Sequence, residues 1–244
     1  MRRRRSEAES TRTKPSRAAV EAPVVTAGAE AAGETSPQLG WVAPELVEEF
    51  PGLALHYLAV DRGSGRSTRE LKQRLRVLSD RFSGAQAINL RHQPTPWAYR
   101  VFYRHIGLDP DQQRTPIEEL VLERMQHGGF RSRSLLDDAL TIATVESNVA
   151  MRAFDADRVT GRPGIRTTEP GEGLEGRPGE LPAGTLVIAD EVRPLALLFG
   201  ALAAGRGVRP RTKSTLLAAI QVTGVPALAV SEALWLAAGI LGDG

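Results

Sequence analysis

The chain of 244 residues is long enough for one large domain or two small ones, and its 41% hydrophobic and 25% charged residues are ordinary for a globular protein. It contains no cysteine, which excludes disulfides and thiolate metal sites. The formal net charge of +2 comes from residues 1–40, which hold seven Lys/Arg against five Asp/Glu, so the rest of the chain is neutral and the overall charge does not indicate a nucleic-acid partner.

Residues 1–40 are rich in Arg, Ala, Glu, Ser, Thr, Pro and Gly. Such a composition cannot bury enough apolar surface to offset the entropy lost on ordering, so it predicts a disordered basic tail. A single domain is expected over residues 41–244. The arginines at positions 2–5 are followed by no apolar stretch, which argues against a secretion signal and predicts a cytoplasmic protein.

The first part of the domain predicts a short helix, a strand and a basic helix. "PELVEEF" from Pro44 is typical of an acidic helix, and residues 53–60 predict a strand because β-formers precede the turn "DRGSG". The next helix, "STRELKQRLRVLSDRF", is expected to begin with a capping box from Ser67 to Glu70. Its apolar face consists of Leu71, Leu75 and Leu78, and its basic face of Arg69, Lys72, Arg74, Arg76 and Arg81.

"TPIEELVLERMQHGG" carries the clearest helix signals in the chain. Thr115 is the expected cap, Pro116 occupies the first helical position, and Glu118 completes a capping box. Gly128 and Gly129 predict the end of the helix. Its predicted buried stripe consists of Ile117, Leu120, Val121 and Met125.

The remaining elements are mixed. A second long helix is predicted from Ser134 to about Val149, with a helix-like run continuing to Phe154, followed by strands at "TLVIAD", "RPLALLF" and "LLAAIQV". The terminal run "GVPALAVSEALWLAAGIL" carries Glu232 and is short for a bilayer, so it predicts a helix packed on the domain and no membrane partner. Strands and helices that intersperse without strict alternation favour an α+β fold.

Two aspartates, Asp155 and Asp157, stand one residue apart after this run. They could place two carboxylates on one side of an extended segment, as a metal site requires. Alternatively, Asp155 caps the single helical turn that follows, which is the favoured interpretation because Asp is among the commonest capping residues. The four histidines show no metal-ligand spacing, so we expect neither a metal nor a cofactor.

Two basic segments are candidates for contact with RNA phosphates. "RGVRPRTK" holds four cations and no acid in an expected exposed loop: Arg206, Arg209, Arg211 and Lys213. "PWAYRVFYRH" offers Arg100 and Arg104 beside aromatic side chains, although its spacing suits an amphipathic helix with a buried aromatic face equally well. The glycine-rich "GALAAGRG" lacks both the lysine and the hydroxyl of a phosphate loop, and we interpret it as a turn.

The order of these motifs along the chain is more specific for a protein family than any single motif is. Over roughly residues 45–240 the chain resembles the tRNA-binding and editing domain of the phenylalanyl-tRNA synthetase beta subunit, including its stand-alone bacterial relatives. The stretches that carry the resemblance are "AYRVFYRHIGLDPDQQRTPIEELVLERMQHGGF", "SLLDDALTIATVESNVAM", "RAFDADRVTGRPGIR", "LPAGTLVIADE" and "RTKST".

The resemblance implies a three-layer β/β/α domain with an unusual β-sandwich, and a pocket that hydrolyses misacylated tRNA. The family's His-Ala-Phe-Asp junction corresponds to "RAFD", so Arg152 replaces the histidine and Asp155 matches the aspartate. Arg152 and Asp155 are therefore the candidate catalytic residues. Arginine is permanently cationic and cannot act as a base near neutrality, but it can hold a phosphate or an ester carbonyl.

The resemblance thus implies a stand-alone tRNA-binding domain that clears misacylated tRNA in trans as a deacylase. No ATP site or class motif of a synthetase is present, so aminoacylation is not expected, and neither is DNA binding. The alternative hypothesis is a non-enzymatic module that binds a small amino-acid-like ligand or a protein partner. The sequence does not specify the amino acid, the tRNA or the oligomeric state.

Overall fold

The computed structural model describes residues 36–82 and 84–243. The helices of this part are α1 (Pro44–Glu49), α2 (Arg69–Arg81), α3 (Gly84–Asn89), α4 (Pro94–His105), α5 (Pro116–His127), α6 (Leu135–Ser147) and α7 (Ala227–Asp243). The strands are β1 (Gln38–Leu39), β2 (Trp41–Val42), β3 (Ala54–Val60), β4 (Ala150–Asp155), β5 (Gly164–Thr167), β6 (Leu186–Ala189), β7 (Pro194–Leu197) and β8 (Thr215–Gln221). The predicted α+β fold is confirmed.

The first sheet has the strand order β1-β3-β8-β4, and all its pairings are antiparallel. Strand β8 is its centre: it pairs with β3 from Thr215 to Gln221 and with β4 from Thr215 to Ile220. Six of the seven residues of β8 are buried, as expected for a strand covered on both faces. Strand β4 is paired on one side only, so it forms an edge of this sheet.

The second sheet has the order β2-β5-β6-β7, with β2 parallel to β5 and the other pairs antiparallel. Its buried Ile165 and Leu195 share one apolar core with Leu55 and Leu217 of the first sheet. Helices α6 and α7 pack against each other and against β3, β4 and β8. The layers are therefore helix, first sheet and second sheet, which is the β/β/α arrangement that the resemblance implied.

Helix α7 packs on the domain as predicted, because Val230, Leu234 and Leu241 are buried while Glu232 is exposed. Within residues 36–82 and 84–243, no helix combines the length and the apolar character needed to cross a membrane.

The observed start of α5 agrees with the predicted one, whereas the observed start of α2 does not. Thr115 and Glu118 form the predicted capping box, and Gly128 ends α5 at a φ of 74°. At α2 the predicted Ser67 cap is wrong: the hydroxyl of Thr68 accepts the Leu71 N–H at 3.2 Å. The Ser67 hydroxyl instead donates to Asp138, because that buried carboxylate needs donors. The predicted stripe of α5 is also too long, since Met125 is 44% exposed.

The predicted helical run to Phe154 is wrong. Helix α6 ends at Ser147, because Asn148 adopts a left-handed φ of 60°. Residues Ala150–Asp155 then form β4, which pairs with β8.

Of the predicted tail, residues 1–35 lie outside the described residues, while Gln38 and Leu39 belong to the domain because they pair with β3.

Candidate functional site

A cavity of about 480 Å³ lies against β4, where Arg152 projects from the edge strand. Helices α5 and α6 form its sides, and the segment that follows β7 contributes Phe199 and Gly200. We call this cavity the Arg152 pocket. Its apolar lining consists of Leu120, Phe130, Leu140, Met151 and Phe199, and its charged lining of Glu119, Glu123, Arg131, Arg133, Asp137 and Arg152. The volume lies within the range of small-ligand sites.

Within the described residues, the guanidinium of Arg152 makes one hydrogen bond. Its Nε donates to the carbonyl oxygen of Leu198 at 3.3 Å. Among the described residues, no carboxylate lies within ion-pair distance of this side chain. Burial lowers the pKa of Arg152, and the neighbouring Tyr103 and Glu119 oppose that shift. The terminal nitrogens of a guanidinium are strong donors, so this arrangement suits an anion or a carbonyl oxygen.

Three carboxylates share the pocket with Arg152. Burial raises the pKa of Glu119, and the charge of Arg152 opposes that effect. Glu123 forms an ion pair with Arg133, and Asp137 accepts a hydrogen bond from the Ser134 hydroxyl at 2.7 Å. Glu119 is therefore the carboxylate whose environment least favours its charge, which is a feature of groups that handle protons. Glu119 was not identified from the sequence, although it directly follows the capping residue Glu118 on α5.

The apolar wall of the pocket is an aromatic cluster around Phe199. The ring centroid of Phe199 lies 4.8 Å from that of Tyr103, 6.1 Å from that of Tyr99 and 6.0 Å from that of Phe102. On the other side of Phe199 lies a second cavity of about 510 Å³, bounded by α1 and the end of α4. Phe199 and Gly200 line both cavities. No signal in the sequence identified Phe199.

Asp155 does not line the pocket, because it stands at the end of β4 and its side chain contacts the segment that precedes β8. The predicted helix cap is also wrong, since the Asp155 side chain makes no cap hydrogen bond. Its Oδ2 accepts the Thr212 hydroxyl at 2.7 Å, and its backbone N–H donates to Arg206 at 2.8 Å. Asp155 therefore anchors the loop of residues 206–214, which we call the basic loop.

The placement of Arg152 also differs from the expectation that it ends a long helix. It lies within β4, opposite Ala218 of β8, so the dipole of α6 does not act along its side chain. Asp157 is exposed on a 3-10 turn, Ala156–Arg158. Among the described residues there is no group of three or more His, Asp or Glu side chains able to hold a metal ion.

The candidate RNA-binding residues divide into exposed and buried sets. Arg209, Arg211 and Lys213 are exposed on the basic loop. Arg206 is not free as expected, because its guanidinium forms an ion pair with Glu175 at 2.8 Å and donates to the carbonyl oxygen of Arg158 at 2.7 Å. This ion pair could not be inferred from the sequence, because Glu175 and Arg206 lie 31 residues apart.

On α4, Arg100 is only 4% exposed. It forms ion pairs with Glu118 and Asp111, both at 2.6 Å, so its guanidinium is not available to a phosphate. Arg104 is exposed and lies over the ring of Trp97, 5.6 Å from the ring centroid. The structure thus separates the two alternatives for this helix: its aromatic face is largely buried, and Arg104 with Trp97 remains at the surface.

Comparison with known proteins adds to this geometry. Residues 98–227 match the B3/4 domain. The chain is 36% identical over 100 residues to the phenylalanine–tRNA ligase beta subunit of Yersinia pestis, which covers 39% of this chain and 12% of that protein. The identity is 37% over 94 residues with the same subunit of Streptomyces avermitilis, covering 37% and 11%, and 39% over 101 residues with that of Xanthomonas oryzae pv. oryzae, covering 39% and 12%. The chain thus spans only about an eighth of the length of these relatives. Since the family match covers more than half of the chain, the protein belongs to the B3/4 domain family.

Proposed function

We propose that this chain binds tRNA and hydrolyses misacylated aminoacyl-tRNA in trans, as a stand-alone cytoplasmic deacylase. The observation that carries the proposal is the Arg152 pocket, in which an arginine without a carboxylate partner among the described residues faces a cavity with an apolar wall and a protonatable Glu119. An aminoacyl ester offers a carbonyl oxygen and a side chain to such a pocket. The family membership and the likeness to ligase beta subunits support an RNA ester as the ligand.

Arg152 and Glu119 have different roles in the proposed hydrolysis. Water attacks the ester carbonyl carbon, the bond to the ribose oxygen breaks, and the amino acid and the tRNA hydroxyl are released. The guanidinium of Arg152 stabilises the negative charge that develops on the carbonyl oxygen, as an oxyanion hole does. Arg152 cannot remove the proton of the water, so Glu119 takes the role of general base, to which its raised pKa is suited.

The second candidate function is binding without hydrolysis. Its support is Arg152 itself, because a residue that does not titrate stands where the resembling family has a histidine. A pocket with an arginine, carboxylates and an apolar wall is equally complementary to a free amino-acid-like ligand. A protein partner is the remaining form of this alternative.

Hydrolysis of tRNAs mischarged with a panel of amino acids distinguishes the two functions. We expect release of at least one amino acid by the wild-type protein. Arg152→Ala should reduce the rate about tenfold or more, as one lost charge-assisted hydrogen bond predicts. Arg152→His should retain or raise activity because it restores the family's residue.

Glu119→Gln should lower the rate without weakening tRNA binding. Arg177→Ala removes an exposed arginine that does not line the pocket, so it is the control for Arg152→Ala. This variant should hydrolyse mischarged tRNA at the wild-type rate. If wild type and Arg152→His are both inactive on every mischarged tRNA while an amino acid binds to the pocket, the binding module is correct and the deacylase is wrong.

A further inference from the structure

We propose that the loop of residues 61–66 guides the single-stranded 3′ end of a bound RNA from the basic loop into the Arg152 pocket. We call residues 61–66 the bridging loop, and residues 131–133 the pocket rim. This inference rests on the proposed function, because it assumes that RNA is the partner. It adds a surface from a part of the chain that lies outside the residues matched to the family.

The first end of the bridging loop is fastened to the basic loop. The hydroxyl of Thr215, the first residue of β8, donates to the carbonyl oxygen of Arg62 at 2.6 Å, and the hydroxyl of Ser214 in the basic loop donates to Val60, the last residue of β3, at 3.2 Å. Gly63 approaches Thr212 so closely that a Cβ at position 63 would lie 1.8 Å from the Thr212 carbonyl oxygen. The backbones of the two loops are therefore in direct contact.

The second end is fastened to the pocket rim. The N–H of Leu135 donates to the carbonyl oxygen of Gly65 at 2.9 Å. The fully buried Asp138 accepts hydrogen bonds from the Ser67 hydroxyl at 2.5 Å, from the Ser132 hydroxyl at 2.6 Å and from the Arg133 N–H at 3.1 Å. Asp138 thus joins Ser67, the residue that directly follows the bridging loop, to the pocket rim.

The basic loop, the bridging loop and the pocket rim, which are connected in that order, carry a succession of exposed cations: Arg209, Arg211, Lys213, Arg62, Arg66, Arg131 and Arg133. The acids beside this path are fewer. Asp61 and Asp137 are exposed, Glu123 is paired with Arg133, and Asp138 and Asp155 are buried, so five acids stand beside seven cations. The succession therefore carries net positive charge, which attracts a phosphate backbone. We call it the basic path.

A single strand fits this path better than a duplex. The Arg152 pocket holds about 480 Å³, which admits the end of one strand but not a base-paired helix. Proteins that hold single strands combine a basic groove along the backbone with apolar or aromatic surface for the bases. Here the basic path corresponds to the groove along the backbone, and Phe130 and Phe199 of the pocket provide the aromatic surface for the bases.

The test compares two RNA probes on the full chain: a hairpin with a four-nucleotide 3′ overhang and the same hairpin with a blunt end. The path variant is Arg66→Ala with Arg211→Ala, which removes two exposed cations of the basic path, neither of which lines the Arg152 pocket. The control variant, Arg162→Ala with Arg177→Ala, removes two exposed arginines elsewhere. Circular dichroism melts confirm that all three proteins are folded.

We expect the wild-type protein to bind the overhang probe more tightly than the blunt one. The path variant should lose this preference, and the slope of log affinity against log salt for the overhang probe should fall by about 1.4, or about 0.7 for each lost contact to a single strand. The control variant should behave like wild type.

A path variant that matches the control on both probes overturns the bridging role and leaves the proposed function standing. Equal binding of the two probes by wild type also overturns it, because no single-stranded end is then recognised. Absence of binding to both probes and to tRNA overturns the proposed function as well.

Discussion

Two tyrosines one turn apart on α4 have different environments for their hydroxyl groups. The hydroxyl of Tyr99 donates to Ile220 at 2.5 Å and accepts the Ala150 N–H at 3.1 Å. The hydroxyl of Tyr103 is buried and has no hydrogen-bond partner among the described residues. Burial raises the pKa of both phenols, so both stay protonated near neutral pH. A buried hydroxyl without a partner costs stability, whereas a paired one contributes to it.

We therefore expect opposite results from the two phenylalanine substitutions. Tyr99→Phe should lower the free energy of unfolding by about 1–3 kcal/mol, because two buried backbone groups lose their partner. Tyr103→Phe should leave it unchanged or raise it by up to about 1 kcal/mol, because it removes an unpaired polar atom. Urea unfolding measures both. Equal losses in the two variants would show that the Tyr103 hydroxyl is satisfied in solution.

Two arginines of the same helix provide a second matched pair. Arg100 is buried between Glu118 and Asp111, so Arg100→Ala should destabilise the protein by about 3 kcal/mol by leaving the Glu118 charge unpaired. Arg104→Ala should change stability by less than about 1 kcal/mol, since it loses only an exposed contact with Trp97. Thermal and urea unfolding check this prediction. A stable Arg100→Ala variant would contradict the structural role and return Arg100 to the candidate RNA-binding residues.

At the scale of elements, local signals predicted helices well and strand β4 poorly. The start of α5 is set within four residues by Thr115 and Glu118, so the sequence contains its full cause. Strand β4 forms because it pairs with β8, and Arg152 lies opposite Ala218, a residue distant in sequence. No local pattern carries that information, and Asn148 was the only nearby sign that α6 had ended.

The loop after β5 is closed by an ion pair that predicts a pH effect. Arg166 of β5 donates two hydrogen bonds to the carboxylate of Glu172, at 2.6 and 2.5 Å. The guanidinium lowers the pKa of Glu172 below its usual value of 4.5. A depressed pKa gives stability that is present above the unfolded pKa and lost as pH falls through the folded pKa.

Glu172→Gln should therefore be less stable than wild type by about 1–2 kcal/mol at pH 7. The difference should shrink below pH 4.5 as the wild-type carboxylate becomes protonated. Urea unfolding at a series of pH values measures this convergence. A difference that stays constant down to pH 3 would place the effect outside this ion pair. Glu169→Gln, an exposed neighbour in the same loop, is the matched control.

At the scale of the whole molecule, strands β1 and β2 predict the effect of truncation. Deleting residues 1–35 should leave the thermal midpoint unchanged within about 2 °C, because their composition lacks core-forming side chains. Deleting residues 1–42 also removes β1 and β2, the Gly40 N–H bond to Leu55 at 2.7 Å and the Trp41 indole bond to Arg162 at 2.7 Å.

We expect the longer deletion to lower the midpoint by more than about 5 °C, since each kcal/mol shifts the midpoint of a domain this size by about 2–4 °C. Differential scanning calorimetry of the two truncated proteins compares them directly. A large drop on removing only residues 1–35 would contradict the prediction that this segment adds nothing to the core.

The candidate site was predictable in part. The resemblance identified Arg152, and its place in a pocket follows from β4 lying at the edge of a sheet. Phe199 and the bridging loop were not predictable, because their roles depend on contacts between segments that are far apart, such as Gly65 with Leu135 and Phe199 with Tyr103. Asp155 was assigned to the site because the resemblance matches it to the family's aspartate, but the structure places its side chain on Thr212 of the basic loop.

The wall formed by Phe199 and Gly200 between the two cavities has a consequence for selectivity. Phe199 lines the Arg152 pocket and also the second cavity of about 510 Å³. The wall therefore consists of one side chain, that of Phe199, and the main chain of Gly200. We expect a smaller residue at position 199 to join the two cavities, so that the Arg152 pocket would admit longer ligands than it does with phenylalanine at this position.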